Sequence, residues 1–241
     1  MKKLIVIPAR YGSTRLPGKP LLNIAGKPLL RWVFEKALQS RLKDGALIAT
    51  DDERIRDAAR AFGAEVVMTS PTCASGTDRV YEAVKGRDAG LVVNLQGDEP
   101  FIEPSMIDDL FSVMERERAD MATLCCPVAD EREYTDPNTV KVVLDRSGFA
   151  LYFSRSPIPF RRTDRTVTVY KHVGIYGYAG SFLEQFVAMP RGILEGAESL
   201  EQLRVLENGC RIRVVPTTYD GFGIDTEEDL LRAAERLAVR T

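Results

Sequence analysis

The chain has 241 residues, of which 44% are apolar and 28% are charged, a composition that excludes a largely disordered protein. Its 33 basic side chains against 35 acidic ones give a net charge of −2, so no basic excess points to nucleic-acid binding. No apolar run reaches the roughly 20 residues of a membrane span, which predicts no membrane insertion, and the first run is too short for a signal peptide. The four cysteines have neither metal-binding nor disulfide spacing, which favours a cytoplasmic protein.

Short apolar runs alternate with helical patterns along the first 128 residues. The runs predict strands at residues 4–7, 46–49, 66–68, 91–95 and 121–128, and helical spacing predicts helices at 28–39, 52–62, 77–84 and 105–114. Unbroken apolar strands alternating with helices indicate a mostly parallel sheet covered on both faces. Right-handed crossovers then make this part a doubly wound α/β core.

The pattern changes after about residue 137. We predict strands at 140–144, 149–153, 173–178 and 211–215, a basic exposed loop at 157–165, and helices at 200–206 and 226–238. Strands so close together indicate a smaller mixed or antiparallel extension. The predicted organisation is one domain of residues 1–241, with a core at 1–128, the extension at about 138–215, and a segment at about 216–241 that closes back on the core.

The first candidate site follows the first strand, at residues 8–20. It holds three cations, Arg10, Arg15 and Lys19, together with two hydroxyls and two glycines. Open α/β sheets bind ligands at the carboxyl ends of their strands, and Arg and Lys are the usual partners of phosphate. The segment matches neither a Walker A motif nor a GxGxxG fingerprint. It predicts a polyphosphate site, and a solvated basic loop is the alternative.

Two acidic side chains are candidates for holding Mg²⁺. Asp98 follows the apolar strand at 91–95, and Asp225 lies in the acidic segment before the last predicted helix. Mg²⁺ takes a few protein oxygens and completes its shell with water and substrate phosphates. The plainer alternatives are a turn role for Asp98 and a helix cap at Asp225.

Polar side chains in two other regions are candidates for substrate binding. Ser75 and Arg79 lie at a predicted helix start, which can accept a base, ribose or phosphate or can simply be capped. His172 is the only histidine, and we expect it to donate a hydrogen bond to an acidic sugar rather than to act as a base. Glu198 and Gln202 are four apart, so we predict that they share one helix face, where they bind sugar hydroxyls or form a surface pair.

Several longer motifs occur together along the chain. In order they are IPARYGSTRLPGKPL, SGTDR, VNLQGDEP, VKVVLD with FALYFSRSPIP, KHVGIYGY, ESLEQLRVLENG and GIDTEEDL. From residue 3 to about 236, this combination resembles the 3-deoxy-D-manno-octulosonate cytidylyltransferase family. The resemblance implies cytidylyl transfer from CTP to 3-deoxy-D-manno-octulosonate with release of pyrophosphate, use of Mg²⁺, and a product for the lipopolysaccharide inner core. It also implies a nucleotide-diphospho-sugar transferase type fold and a homodimer formed through the smaller extension.

Matching the motifs residue by residue extends the resemblance to the sites. The nucleotide-binding residues it implies are Pro8, Ala9, Arg10, Arg15, Lys19, Ser75, Arg79 and Gln96. The implied catalytic residues are Lys19, Arg15, Asp98 and Asp225, the last two as Mg²⁺ ligands. The implied sugar-binding residues are Gln96, Arg155, His172, Tyr176, Glu198 and Gln202.

One departure from the family affects the sugar preference. The segment at residues 160–170 is short compared with its counterpart in many members of the family. A cytidylyltransferase for the 8-amino analogue of the sugar would have nearly the same motifs, and acylneuraminate enzymes share a similar opening motif, so both are alternatives. A catalytically silent nucleotide-binding scaffold is the alternative from another class of protein.

Overall fold

A computed structural model of the chain describes residues 1–12, 16–162, 167–219 and 221–238. The chain divides into two compact units. The first comprises Met1–Asp108 with Tyr219–Thr241, and the second comprises Asp109–Thr218. The C-terminal segment is thus part of the first unit, and the division falls earlier in the chain than the core boundary predicted at residue 128.

The first unit contains the predicted alternation of strands and helices. Its elements up to the division are β1 (Lys2–Ala9), a short 3₁₀ helix (Lys19–Leu21), β2 (Asn23–Ile24), β3 (Lys27–Pro28), α1 (Leu29–Leu38), β4 (Gly45–Thr50), α2 (Glu53–Ala61), β5 (Glu65–Met68), α3 (Gly76–Val84), β6 (Ala89–Asn94) and the start of α4 (Pro104–Glu117). The central stretches of β1, β4 and β6 are buried, which accounts for their unbroken apolar sequence.

The sheet of the first unit has the order β6–β1–β4–β5, with every pair parallel. The chain moves outward from β1 to β4 and β5 and then crosses to β6 on the other side of β1. The winding direction therefore reverses between β1 and β6, the position at which doubly wound sheets bind their ligands. Because both strands end at the same edge of the sheet, the segments that follow them leave side by side.

The second unit carries a mixed sheet. Its elements are β7 (Met121–Pro127), α5 (Glu131–Thr135), β8 (Lys141–Leu144), β9 (Ala150–Ser154), β10 (Tyr170–Ala179), α6 (Gly180–Ala188), α7 (Ile193–Glu198), α8 (Leu203–Glu207) and β11 (Arg213–Pro216). Strand β11 runs parallel to β7, whereas the pairs β7–β10, β10–β8 and β8–β9 are antiparallel. The predicted class, a mostly parallel α/β sheet with a smaller antiparallel part, is confirmed.

Some helices of the second unit differ from the prediction. Within the described residues, α5, α6 and α7 have no predicted counterpart, and the helix predicted at 200–206 begins only at Leu203. Helix α6 begins without a side-chain cap, so its start carries no local signal. The described part of the predicted loop, residues 157–162, has neither helix nor strand, and residues 163–165 lie outside the described chain.

The last helix, α9 (Glu227–Ala238), follows the predicted bounds closely. Its buried side chains, Ala233 and Leu237, pack in an apolar cluster with Leu16, Phe101 and Ile224. The cluster holds the C-terminal segment against the residues that flank the ends of β1 and β6. Among the described residues, no helix is both long and apolar enough to span a membrane.

Candidate functional site

A cavity of about 370 Å³ lies in the first unit. Four segments line it, namely those that follow β1 and β6, the start of α3, and the segment before α9. The lining residues are Pro8, Ala9, Arg10, Lys19, Pro20, Cys73, Ala74, Ser75, Gly76, Arg79, Gln96, Gly97, Asp98 and Asp225. The structure therefore gathers in one cavity all of the predicted nucleotide and metal residues except Arg15, which lies outside the described residues.

Lys19 lies between the two predicted metal ligands. Its Nζ is 2.6 Å from Asp98 Oδ2 and 3.1 Å from Asp225 Oδ1. It also donates to the carbonyl oxygen of Ile224 at 2.8 Å. Residues separated by as many as 206 positions thus meet around one ammonium group, which fixes the two carboxylates on the same side of the cavity.

The electrostatics of this cluster favour a cation between the carboxylates. Burial alone would lower the pKa of Lys19, but the adjacent carboxylates of Asp98 and Asp225 outweigh it and raise that pKa. The ammonium group thus stands where a positive ion is stabilised. Carboxylate oxygens are ligands that Mg²⁺ prefers, so this donor set fits the ion. Among the described residues, no group of three or more His, Cys, Asp or Glu side chains forms a metal cluster, and water or substrate oxygens would complete the shell of an ion held by the two carboxylates.

Backbone contacts bring Asp225 to Asp98. The N–H of Ile224 donates to the carbonyl oxygen of Asp98 at 3.0 Å. A side chain on Gly223 would approach Glu99 Oε1 to 3.3 Å, so glycine permits the close passage of the two segments. Tyr219 donates its hydroxyl proton to Glu99, which ties the start of the C-terminal segment to the same turn.

The surroundings of Glu99 shift the pKa of its carboxyl group. Burial, followed by the negative charge of Asp98, raises the pKa of Glu99 to about 7, although the hydrogen bond from Tyr219 acts in the opposite direction. Glu99 follows Asp98 in the VNLQGDEP motif, and Tyr219 is not among the residues that the motifs implied. No local signal identifies Tyr219, since its partner is 120 positions away.

The predicted base and ribose residues line the cavity with their side chains already engaged. Ser75 caps α3 in a reciprocal pair with Asp78, so its capping role is present. Arg79 is 5% exposed, and it contacts Thr69 Oγ1 at 2.5 Å and Asp51 Oδ2 at 3.1 Å. These contacts fix the guanidinium group at the wall of the cavity.

The segment after β6 lines the cavity with the predicted residues Gln96 and Asp98 and with Gly97, which was not predicted. Gln96 donates to Asn94 Oδ1 at 3.1 Å, which orients its amide. A side chain on Gly97 would lie 3.2 Å from the carbonyl oxygen of Pro8. Glycine there allows the segments after β1 and β6 to pass close together, and no local sequence signal reveals that neighbour.

In the second unit, the predicted residues Arg155 and Glu198 form a hydrogen-bonded network with Ser154. Glu198 accepts hydrogen bonds from Ser154 Oγ at 2.6 Å and from the Arg155 N–H at 2.9 Å. Arg155 Nε donates in return to the Glu198 carbonyl oxygen at 2.8 Å. Both Glu198 carboxylate oxygens therefore already have partners at the end of β9, and any sugar hydroxyl must share them.

His172 and Tyr176 pack together on β10, with ring centroids 5.3 Å apart. Thr123 Oγ1 donates its proton to the Ile175 carbonyl oxygen at 2.8 Å, so we assign the 2.9 Å contact with His172 Nε2 to a proton on that nitrogen. Burial lowers the pKa of His172 to about 3, which keeps the ring neutral. In this tautomer the remaining ring nitrogen is an acceptor, and the expectation that His172 donates to an acidic sugar stays a prediction.

Glu198 and Gln202 do not share a helix face, and that prediction is wrong. Helix α7 ends at Glu198 because Ser199 adopts a left-handed backbone conformation with φ 52°. Gln202 then precedes α8. Its side chain is only 3% exposed, and its Nε2 has no hydrogen-bond partner among the described residues. A buried donor without a partner is costly, and the role of Gln202 in sugar binding stays a prediction.

The depressed pKa of His172 predicts a pH-dependent stability. The folded value of about 3 lies below the unfolded value near 6.5, so the unfolded chain binds the extra proton and stability falls as pH drops below about 6.5. Relative to a His172→Gln variant, we expect the wild-type free energy of unfolding to fall by about 1.4 kcal/mol between pH 7.5 and pH 5.5. Urea titrations of both proteins at the two pH values measure this.

The His172→Gln variant controls for every other titrating group, including Glu99, because both proteins contain the same groups. A difference between the two proteins that stays constant with pH would show that His172 titrates normally in the folded state.

Comparisons with known proteins identify the family of the chain. A family model described as cytidylyltransferase matches residues 4–212. The 3-deoxy-manno-octulosonate cytidylyltransferase of Thermodesulfovibrio yellowstonii is 48% identical over 95% of this chain and 96% of its own. An 8-amino-3,8-dideoxy-manno-octulosonate cytidylyltransferase from a Shewanella species is 47% identical over 99% of this chain and 100% of its own. A solved CMP:2-keto-3-deoxy-manno-octonic acid synthetase in complex with CTP is 43% identical over the full length of both chains, with a TM-score of 0.96.

Proposed function

The chain belongs to the cytidylyltransferase family, and we propose that it transfers the cytidylyl group of CTP to 3-deoxy-D-manno-octulosonate, with release of pyrophosphate. The observation that carries this proposal is the Lys19 ammonium group held between Asp98 and Asp225 in the cavity of the first unit. A cation with two carboxylates at the switch point of a doubly wound sheet suits a nucleoside triphosphate.

The reaction needs positioning and charge neutralisation rather than an enzyme nucleophile. The anomeric hydroxyl oxygen of the sugar acid forms a bond to the α-phosphorus of CTP, the bond from that phosphorus to the pyrophosphate oxygen breaks, and the hydroxyl proton passes to solvent water. Lys19, with Arg10 and Arg15, neutralises the charge that grows on the phosphates. Burial raises the pKa of the Cys73 thiol to about 11, so the cysteine in the cavity wall stays protonated and has no role in this chemistry.

We assign Mg²⁺ to Asp98 and Asp225. When bound there, the ion lowers the pKa of the sugar hydroxyl and neutralises phosphate charge. An ion held by the carboxylate oxygens that Lys19 contacts, Asp98 Oδ2 and Asp225 Oδ1, would displace its flexible ammonium group, which would then be available to the phosphates. The two positive charges thus have separate partners in the substrate complex.

A pyrophosphate-release assay with CTP, Mg²⁺ and a panel of sugar acids tests the proposal. We expect turnover with the eight-carbon acid 3-deoxy-D-manno-octulosonate and at least tenfold lower kcat/KM with a nine-carbon acylneuraminate. Turnover with the nine-carbon acid alone would overturn the choice of substrate. No pyrophosphate release with any acid in the panel would favour a silent nucleotide-binding scaffold.

The 8-amino analogue is the second candidate substrate, because the relative named for it is 47% identical against 48% for the relative named for 3-deoxy-manno-octulosonate. The two sugars differ only at the eighth carbon, far from the reacting hydroxyl. The same assay with both sugars in competition decides between them through the ratio of their kcat/KM values.

We further propose that the protein is cytoplasmic, works as a homodimer and supplies the lipopolysaccharide inner core. Exposed apolar side chains on the second unit support an interface there. Leu151 on β9 is 62% exposed and Phe160 in the following loop is 83% exposed. Strand β9 pairs only with β8 among the described strands. On its other edge the Ala150 N–H donates to the Ile212 carbonyl oxygen at 2.9 Å, so the proposed interface would use the edge beyond Ala150.

A further inference from the structure

A backbone hydrogen bond joins the two ends of the segment that carries Arg10 and Lys19. The N–H of Gly18 donates to the carbonyl oxygen of Tyr11 at 3.0 Å. Gly18 has φ 68° and is buried, and a side chain there would lie 3.0 Å from the Tyr11 ring. Glycine therefore lets the tyrosine ring lie directly against the backbone where the segment returns.

A guanidinium group lies over the ring of the same tyrosine. Arg54, from the first turn of α2, has its Cζ 3.4 Å from the centroid of Tyr11. The plane of the guanidinium group is held by Asp52, which accepts hydrogen bonds from Arg54 Nε at 3.0 Å and from Arg54 Nη2 at 2.6 Å. Asp52 is in turn fixed as the N-cap of α2. Tyr11 thus contacts both Gly18 and an arginine that is anchored to a helix start.

We propose that Arg54 is a positioning residue for CTP binding, which acts through Tyr11 on the segment that presents Arg10 and Lys19. This rests on the proposed function, since it assigns the segment to the triphosphate. Arg54 lies outside the cavity lining, so it is not among the groups that contact the nucleotide. By fixing Tyr11 against Gly18, it holds the neighbours of Arg10 and Lys19 in place before CTP binds.

The chain offers a matched control on the same helix. Arg56 pairs with Glu53 at 3.0 Å and with Asp57 at 2.8 Å, and it contributes nothing to the cavity lining. Arg54→Gln and Arg56→Gln therefore remove the same charge from neighbouring positions, and only the first removes the contact with Tyr11.

We expect Arg54→Gln to weaken CTP binding by about three- to tenfold, and Arg56→Gln by less than twofold. Binding is measured by titration calorimetry with CTP in EDTA, without sugar acid. In the assay with Mg²⁺, the KM for CTP should rise by a similar factor while kcat and the KM for the sugar acid stay within twofold. A general loss of structure would instead lower the melting temperature and kcat.

A double variant separates positioning from direct contact with the nucleotide. In a Tyr11→Leu background, Arg54→Gln should cause less than a twofold further loss, because its effect passes through Tyr11. An undiminished loss in that background, or equal losses for Arg54→Gln and Arg56→Gln, would overturn the proposal. Failure of the wild-type protein to bind CTP would instead overturn the proposed function.

Discussion

Replacing Lys19 with methionine should lower kcat by about 10²–10³-fold, the usual effect of removing a preorganised charge from a transition state. Methionine retains much of the aliphatic volume but leaves Asp98 and Asp225 without their shared cation, 2.6 and 3.1 Å away. We expect a much smaller effect on folding, on the order of 1 kcal/mol, because the pair is only partly buried. Pyrophosphate release at saturating CTP and urea unfolding measure the two effects separately.

Lys27→Met is the matched control for this experiment. Lys27 also pairs with a carboxylate, Glu35 at 2.7 Å, and it lies 4.4 Å from the Trp32 ring centroid, outside the cavity. This variant should lose similar stability and keep its activity within twofold. A Lys19→Met protein that keeps more than a tenth of the wild-type rate would show that Lys19 stabilises the resting cavity and does not serve the reaction.

The second large effect concerns the two carboxylates. We expect Asp98→Asn and Asp225→Asn each to lower kcat by roughly 100-fold or more, because each removes a charged ligand of one metal ion. The Mg²⁺ concentration for half-maximal activity should rise in both variants. Because the two residues act on the same ion, the double variant should be far less impaired than the product of the single effects. Rates measured across a Mg²⁺ titration test all three expectations.

Asp108→Asn distinguishes loss of a metal ligand from loss of structure. Asp108 accepts hydrogen bonds from Ser40 Oγ at 2.6 Å and from the Arg41 N–H at 3.0 Å, and it is not a predicted metal ligand. This variant should melt at a lower temperature with an unchanged Mg²⁺ dependence. Wild-type rates in either Asp98→Asn or Asp225→Asn would be incompatible with the proposed metal site and would favour the scaffold alternative.

The order of strands and helices in the first unit could be predicted because each element carries its own signal. Strands β1, β4 and β6 are buried apolar runs, and α2 has Asp52 as its cap. The second unit was harder to predict. Helix α7 is only six residues long, too short for a clear helical pattern, and the pairing of its Glu195 with Arg204 of the next helix has no local sequence signal.

The members of the candidate site could be named from motifs, but their interactions could not. Nothing near Lys19 indicates that its ammonium group lies between two carboxylates, one of them 206 positions away. The contact of Arg54 with Tyr11 likewise joins two elements with no shared local pattern. The tautomer of His172 depends on the Thr123 hydroxyl of a neighbouring strand. Such pairings exist only once the sheet order has formed.

The central claim is that Asp98 and Asp225 share one divalent cation beside the phosphates of CTP. Anomalous diffraction from crystals of the wild-type protein with Mn²⁺ and CTP tests it most directly. We predict one Mn²⁺ peak within about 2–2.5 Å of carboxylate oxygens of both residues, with the Lys19 ammonium group moved from between them to the phosphates. A Mn²⁺ peak distant from both carboxylates, with Lys19 still between Asp98 and Asp225, would contradict the account.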